Sequence, residues 1–521
     1  MLRILNKIMF NPFKKIINLE KKIVNYLENS KIPFYYFILT FIFATTLRNF
    51  LEIFSSEGTK IELSTFLHYD ISYVFLALAL ILLFTLVTKT NAKKVAKVIL
   101  PSFIILNIAP IIDLILSKGQ GYGMAYLLPD TVDNLLYTFL TFFGEFLEMG
   151  ITIGIRIEVA LVLLGSFIYF YIKKQTLLKS LFSTFLTYVI IFLYLASPFV
   201  LNWILSPFGF NYEYGLLVPL FLIMIFFISL FLAAISNEKY FMTILRDIRI
   251  RRLLHYELMF FLGIVIALKL NDYFVSNTNF LFNLIILPIS IVFAWLYSVV
   301  TNNIVDYEID KVSNKGRPLT SSKIPLKDYQ KLTWFFLFIS LAYALMISFK
   351  AFFFIALFIG NYFLYSMPPI RFKRVPFFSK LTISLNSLIL VMMGFSLIST
   401  DIEFPKTIML IFLIGFTAAA NFIDIKDYKG DKKEGIKTLP VLLGLKTSKI
   451  LIGFFWFLNY FIFIFLLPDL FMKISVIILG TLQFFLINRE NYNEKPVFDV
   501  YLFSIICLII YTLLSKNIII K

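Results

Sequence analysis

Asn302, Asp306 and Asp310 follow one another at intervals of four in the stretch "NNIVDYEID", directly after a run of almost uninterrupted apolar residues. Residues at i, i+4 and i+8 project from one side of a helix, so this spacing predicts a polar stripe at a helix end. Like charges so placed repel, and the penalty grows beside low dielectric, which makes a bridging cation the natural remedy. Hard oxygen donors that leave room for water and phosphate oxygens suit magnesium. A second set, Asp424, Asp427 and Asp431 in "DIKDYKGD", is spaced three and then four and again shares one helical side, with Gly430 the expected end of that helix. Two acidic sets with basic residues beside each would hold two magnesium ions and, between them, a diphosphate. The cations would neutralise a departing leaving group, and Lys and Arg would take the remaining phosphate oxygens.

The elements that must position these groups are membrane helices. The chain has 521 residues, 60% of them hydrophobic, including 63 Phe, and a mean hydropathy of +0.87, more apolar than a soluble domain with a solvated surface. The expected class is an all-α polytopic membrane protein, because backbone that crosses lipid as helix satisfies its own hydrogen bonds. Apolar runs predict spans near 33–53, 71–88, 97–117, 157–172, 181–203 and 216–236, then near 255–270, 281–301, 331–349, 351–366, 380–399, 406–424, 448–466, 470–487 and 498–515. The stretch 134–150 is a candidate re-entrant or interfacial helix. Residues 1–31 are basic and amphipathic and read as an arm lying on the membrane surface, not as a cleaved leader. The basic run at 237–252 divides the chain into a membrane module at 32–236 and a second at 237–521.

Lysine and arginine mark every second loop, among them 89–97, 173–179, 237–252, 306–331, 371–380 and 424–449. By the positive-inside rule the N-terminus and both acidic sets are cytoplasmic in a multi-pass protein of the cell membrane. The excess of 17 positive charges is thus assigned to loops, and no nucleic-acid partner is expected. One cysteine, Cys507, excludes an intrachain disulfide, and only two histidines leave little room for a histidine-built metal centre. His68 reads as an exposed loop residue and His255 as a headgroup contact. Arg48, Asp113 and Glu158 fall within the first module's spans, and the sequence reading lets them reach the interface from span ends.

With these residues in view, the second half resembles the UbiA-type intramembrane prenyltransferases. "NNIVDYEID" is similar to that family's Asn-Asp-x-x-Asp-x-x-x-Asp motif, and "DIKDYKGD" is similar to its Asp-x-x-Asp-x-x-x-Asp motif, with "KGRPL" and "GIKTLPVLLG" behind them. "LYSMPPIRFKR", from Leu364 to Arg374, resembles the family's basic loop. The resemblance covers about residues 240–521 and implies a nine-helix bundle preceded by about six further spans. It implies Mg2+ held by Asn302, Asp306, Asp310, Asp424, Asp427 and Asp431, with Asp306, Asp310, Asp424 and Asp427 central to catalysis. It implies a diphosphate held by Arg317, Arg371, Lys373, Arg374 and Tyr365. The substrates would be a polyprenyl diphosphate and a lipophilic acceptor: an aromatic ring, a tetrapyrrole or a prenylglycerol phosphate. Two departures stand out: Asn303 occupies the place of the family's usual Asp, and Tyr365 and Lys373 are eight residues apart where four is common.

The competing reading is a non-catalytic or transport protein that binds a cation or a phosphorylated isoprenoid lipid. Transport carboxylates belong near the midplane of broken helices, and these lie at span ends. Phe293, Trp295, Tyr297, Phe412 and Phe416 lie on helices where an aromatic face would stabilise a carbocation. The first module carries no recognised motif.

Overall fold

The structure is a computed structural model that describes residues 2–54, 63–122, 126–127, 131–144, 151–210, 214–271, 278–313, 316–321, 323–399, 402–467 and 469–514. Its regular structure is entirely helical among these residues. Fourteen helices are long and apolar enough to cross a membrane, and a bent pair, Lys406–Ala419 with Phe422–Lys433, makes a fifteenth. The chain is therefore an all-α, multi-pass membrane protein, and the expected spans match observed helices whose ends mostly run a few residues further, except that the span expected at 181–203 is divided between Leu177–Leu195 and Ser197–Leu205, where Pro198 opens the second helix. Large apolar side chains such as Phe338, Phe465, Phe471 and Phe485 are exposed, as lipid-facing surface requires. The chain divides into two compact units, 1–238 and 239–521.

The first unit contains α1 (Leu2–Asn29), α2 (Phe34–Phe54), α3 (Leu63–Thr88), α4 (Ala92–Leu116), α5 (Ile153–Ile172), α6 (Leu177–Leu195) and α7 (Leu217–Ser236). Pro101 lies inside α4, which tightens to 3-10 geometry at Phe103–Asn107. Glu28 on α1 accepts from Tyr169 Oη at 3.0 Å and pairs with Lys173 at 2.5 Å, tying the arm to α5. The stretch 134–150 contributes one short helix, Val132–Leu140, while 145–150 lie outside the described residues.

Four expectations for this unit are corrected. Arg48, Asp113 and Glu158 do not reach the interface but are buried against one another's helices. Arg48, 1% exposed, pairs with Glu52 at 2.7 Å and Glu158 at 3.0 Å and donates to the Leu106 carbonyl. Asp113 accepts from Thr152 Oγ1 at 2.5 Å and Gly154 N at 2.9 Å. Buried ions persist because every charge has a partner. His68 is likewise buried, its Nε2 within 2.8 Å of the Tyr126 hydroxyl.

The short α8 (Glu238–Asp247) starts on the last residue of the first unit and leads into the second, where it is followed by α9 (Ile250–Leu270), α10 (Thr278–Val305), α11 (Leu326–Ile347), α12 (Phe349–Ser366) and α13 (Phe378–Ser396). The bent pair supplies α14 (Lys406–Ala419) and α15 (Phe422–Glu434), turned by 43°. The unit ends with α16 (Leu445–Leu466), α17 (Leu470–Asn488) and α18 (Glu494–Leu514). Inside α14, Ile411–Phe416 widen into a π-helical turn, a local bulge that often accompanies function.

α9 and α13 cross at glycines. A Cβ on Gly263 would run into the Val391 carbonyl, and one on Gly394 would run into the Phe260 carbonyl. Backbones approach this closely only where the side chain is absent. Gly360 on α12 faces open space. Replacing Gly263 by Ala is therefore expected to cost at least about 1–3 kcal/mol through overpacking. Gly360→Ala should gain about 0.5–1 kcal/mol through helix propensity. Thermal unfolding of the purified protein in detergent checks both signs.

Candidate functional site

α10 ends at Val305, and the chain resumes as the short helix Tyr307–Ser313. The break does not spoil the stripe, because Asp306 N still bonds Asn302 O at 2.9 Å and Asp310 N bonds Asp306 O at 2.7 Å. Asn302, Asp306 and Asp310 therefore remain successive turns of one face. Asp306 takes Arg371 NH2 at 2.6 Å and Lys373 Nζ at 2.6 Å. Asn302 Oδ1 accepts from Lys373 Nζ at 3.1 Å and Ser366 Oγ at 3.2 Å. Asp310 is buried, and Arg317 Nε stands 3.6 Å from its Oδ2.

The second set rides on α15, which runs through Gly430 and stops only where Gly435 takes the left-handed conformation at φ 70°. The expected end at Gly430 is thus corrected: a glycine inside a helix weakens it but does not stop it, whereas Gly435 supplies the positive φ of a C-cap. Asp424 is buried and pairs with Lys380 Nζ at 2.5 Å. Asp431 Oδ2 accepts from Thr438 Oγ1 at 3.3 Å. Neither Asp427 nor Asp431 has an ion-pair partner among the described residues.

Asn302, Asp306, Asp310, Asp424, Asp427 and Asp431 line one cavity of about 500 Å³, and Arg317, Arg371, Lys373, Arg374 and Tyr365 line it too. The loop that delivers the last basic residues is held by Arg371 at φ 48°, a left-handed backbone rarely adopted outside glycine. Burial pulls the Lys373 ammonium below its ordinary value, and Asp306 pulls it back up. Arg249, Arg252, Lys380 and Lys426 also face the cavity and escaped the sequence reading. Lys380, a lone cation in the first turn of an apolar helix, carried a usable signal; Arg249 and Arg252 sit in a basic run that reads as a solvated hinge.

Asn303, the departure from the usual motif, is fully buried. Its Oδ1 accepts from Arg249 at 3.0 Å and Arg317 at 2.5 Å, and its Nδ2 donates to Asp247 at 2.5 Å. Burial raises the Asp247 carboxyl above its ordinary value, while Arg317, the Asn303 amide and the Tyr329 hydroxyl pull it down.

Two further spaces are related to the cleft through shared lining residues. A narrow one of about 40 Å³ shares Arg252, Tyr362, Ile383 and Ile423 with it, and its other walls include His255, Tyr256, Phe416 and Tyr501. Phe416 and Tyr501 belong in turn to an almost wholly apolar cavity of about 490 Å³ between α9, α14, α16, α17 and α18. His255 is not a headgroup contact: it is buried in this link, 2.7 Å from Ser387 Oγ and 2.9 Å from Tyr501 Oη. Of the aromatic candidates, Trp295 lines the cleft and Phe412 and Phe416 the apolar cavity, while Phe293 stacks on Phe336 and Tyr297 is buried on α10.

The residues fit a hard cation by donor chemistry, since the acidic groups offer oxygen alone and Asp427 and Asp431 line the cavity without an ion-pair partner among the described residues. No group of three or more acidic, His or Cys side chains is drawn together among the described residues. Asp306 and Asp424 are instead neutralised by Arg and Lys.

Fold and cleft together define an integral-membrane protein with a cleft lined by carboxylates and cations at the ends of its helices. Residues 258–505 match the UbiA prenyltransferase family. Digeranylgeranylglyceryl phosphate synthase of Thermococcus gammatolerans is 31% identical over 157 residues, 30% of this chain and 54% of that protein. The chloroplastic 2-acyl-4-prenylphloroglucinol 6-prenyltransferase of Humulus lupulus is 33% identical over 176 residues, 30% of this chain and 41% of that protein. The chain thus spans about half the length of the curated relatives it matches. A solved UbiA homolog from Archaeoglobus fulgidus, bound to GPP and Mg2+, is 20% identical and covers 52% of this chain and 97% of its own, with a TM-score of 0.43.

The Lys380–Asp424 pair offers a direct check on how the cleft is held. Lys380→Met leaves Asp424 buried without its cation, and a broken buried pair costs about 3–5 kcal/mol. The variant should unfold at a clearly lower temperature, and adding Asp424→Asn should recover most of the loss; equal unfolding temperatures for all three proteins would contradict the pairing.

Proposed function

We propose that this protein is a prenyltransferase that moves a polyprenyl group from its diphosphate to a lipophilic acceptor with Mg2+. The observation that carries the reading is the sequence of spaces in the second unit: a cleft lined by both acidic sets and the basic loop, then an aromatic link, then an apolar cavity. A charged head and a long hydrocarbon tail need such a gradient.

In this reading Asn302, Asp306, Asp310, Asp424, Asp427 and Asp431 hold the metal, which supplies charge neutralisation at the departing diphosphate. Arg317, Arg371, Lys373 and Arg374 give N–H donors to phosphate oxygens, and Tyr365 adds a hydroxyl at the same wall. The bond between the allylic carbon and the diphosphate oxygen breaks heterolytically, its electron pair leaving with the diphosphate. The acceptor's hydroxyl oxygen or ring carbon then donates a pair to that carbon and loses a proton. Trp295 at the cleft and Tyr256, Phe416 and Tyr501 in the link present aromatic faces to positive charge and keep water from the cation. The relatives' names support a prenylglycerol phosphate or an aromatic ring as the acceptor class.

The cleft opens on the cytoplasmic side in this reading, as the Lys- and Arg-rich loops around it support. Residues 1–31 lie on that surface: Ile16, Leu19, Ile23 and Tyr26 are exposed along one side of α1, with Lys15, Lys21 and Lys22 beside them. Residues 237–521 carry the chemistry.

Diphosphate release from geranylgeranyl diphosphate in liposomes, across a panel of acceptors, tests the proposal. Release should require Mg2+ and stop with a chelator. Asp306→Ala and Asp427→Ala should each lower it by about 100-fold or more, the scale of losing a transition-state charge contact. Release indifferent to Mg2+, or none with any acceptor from folded protein, would overturn the assignment.

A further inference from the structure

Asn303 is 1% exposed and uses every hydrogen-bonding position its side chain owns. Oδ1 accepts from Arg249 NH2 at 3.0 Å and from Arg317 NH1 at 2.5 Å. Nδ2 donates to Asp247 Oδ2 at 2.5 Å and to Tyr329 Oη at 2.9 Å. Tyr329, itself fully buried, donates its hydroxyl to the same Asp247 oxygen at 3.2 Å, which closes a ring. The network fixes the amide's orientation, since the reverse would set oxygen against carboxylate and NH2 against two guanidinium groups.

Only a carboxamide completes this arrangement. A carboxylate at 303 has no hydrogen to give Asp247 and would repel it at close range. The carboxylate absent from the motif is thus present one hydrogen bond further from the cleft, on α8, ahead of the segment that matches the family. Its turn is fastened to α10 a second time, because Trp295 Nε1 donates to the Ile248 carbonyl at 2.6 Å. Arg249 follows at φ 54°, a left-handed conformation that a non-glycine residue holds only when its surroundings enforce it. Both Arg249 and Arg317 line the polar cleft, where Asp310 stands on the far side of Arg317.

We propose that Asp247 and Asn303 are positioning residues: they clamp the guanidinium groups of Arg249 and Arg317 side by side as a paired ligand for the substrate diphosphate. This rests on the reading of the cleft as a prenyl diphosphate site. Asp247 supplies charge, Asn303 relays it through its amide, and the two arginines meet the anion with their side-chain entropy already spent.

The test is a charge exchange across the clamp, read in geranylgeranyl diphosphate binding and in turnover by the intact protein. Asn303→Asp and Asp247→Asn alone each break one half, and each should weaken binding and raise KM by about tenfold or more, the scale of a lost charge-assisted hydrogen bond. Because the arginines position and do not react, kcat should change much less than KM. The double exchange restores one carboxylate and one carboxamide with places reversed, so it should recover most of the affinity. Tyr329→Phe, a milder cut that keeps the ring's bulk, should weaken binding by about threefold with little change in unfolding temperature. A double exchange no better than the worse single variant, or a Tyr329→Phe protein with unaltered binding, would overturn the clamp. Wild-type protein that binds geranylgeranyl diphosphate without releasing diphosphate would remove prenyl transfer and leave the clamp to stand on the binding series. Turnover by the wild type with a flat binding series would do the reverse, and no binding by the wild type would overturn both.

Discussion

Charge at the end of an apolar bundle has to be met by charge, and in the second unit that requirement decides which elements touch. An uncompensated ion in low dielectric costs several kcal/mol, so the more deeply placed carboxylates of the cleft recruit cations from elsewhere in the chain. Asp306 draws the loop after α12 onto α10 through Arg371 and Lys373. Asp424 joins α15 to α13 through Lys380. Asp247, through the Asn303 amide, ties the α8–α9 turn to α10 and to the segment after Ser313. The groups that would bind substrate are therefore the groups that assemble the cleft. Such a site resists single substitutions poorly, since a change made for chemistry also removes a structural tie.

The apolar side of the unit answers a different need. Gly263 and Gly394 let α9 and α13 meet backbone to backbone, and without a hydrophobic drive between helices in lipid such close packing is what holds them. On the other flank of α9 the helices stand apart enough to leave the apolar cavity of about 490 Å³. The π-helical turn of α14 falls on its wall, with Ile411, Phe412 and Phe416 lining it. The same helix thus faces lipid-like space at one end and, after its 43° bend, presents three carboxylates at the other. In the proposed reading that bend would let one chain segment serve both ends of an amphiphile.

Much of this was legible in the sequence because the membrane imposes a simple rule. A helix must be long enough to cross, so apolar runs mark spans, and polar residues at the interface carry many observed helices a few residues beyond them, while Pro198 divides the run at 181–203. The acidic sets were legible because spacing on a helix is a geometric statement, and it survived even the break after Val305. What the sequence withheld were partners brought from other helices. Lys380, Arg249, Arg252 and Asp247 look like ordinary boundary charges until the fold sets them in or beside the cleft. His255, alone near the start of an apolar run, gave no hint of Ser387 and Tyr501 on either side. The buried ions of the first unit were misread for the same reason: Arg48 and Glu158 are 110 residues apart, and neither predicts the other.

The two units spend their buried charge differently, and the difference bears on where chemistry resides. In the first, Arg48 is met by Glu52, Glu158 and a backbone carbonyl, and Asp113 by a hydroxyl and an amide. Only Arg48 and Glu158 of that set border its cavity of about 160 Å³, and they are bonded to each other. In the second, Asp427, Asp431, Arg252 and Arg374 face a cavity three times as large without an ion-pair partner among the described residues. Charges that satisfy one another hold helices together, whereas charges of both signs left facing open space remain available to a ligand. In the proposed reading a divalent cation would meet the first pair and a phosphate the second, so the residual charge of the cleft would match the two components of a metal–diphosphate substrate.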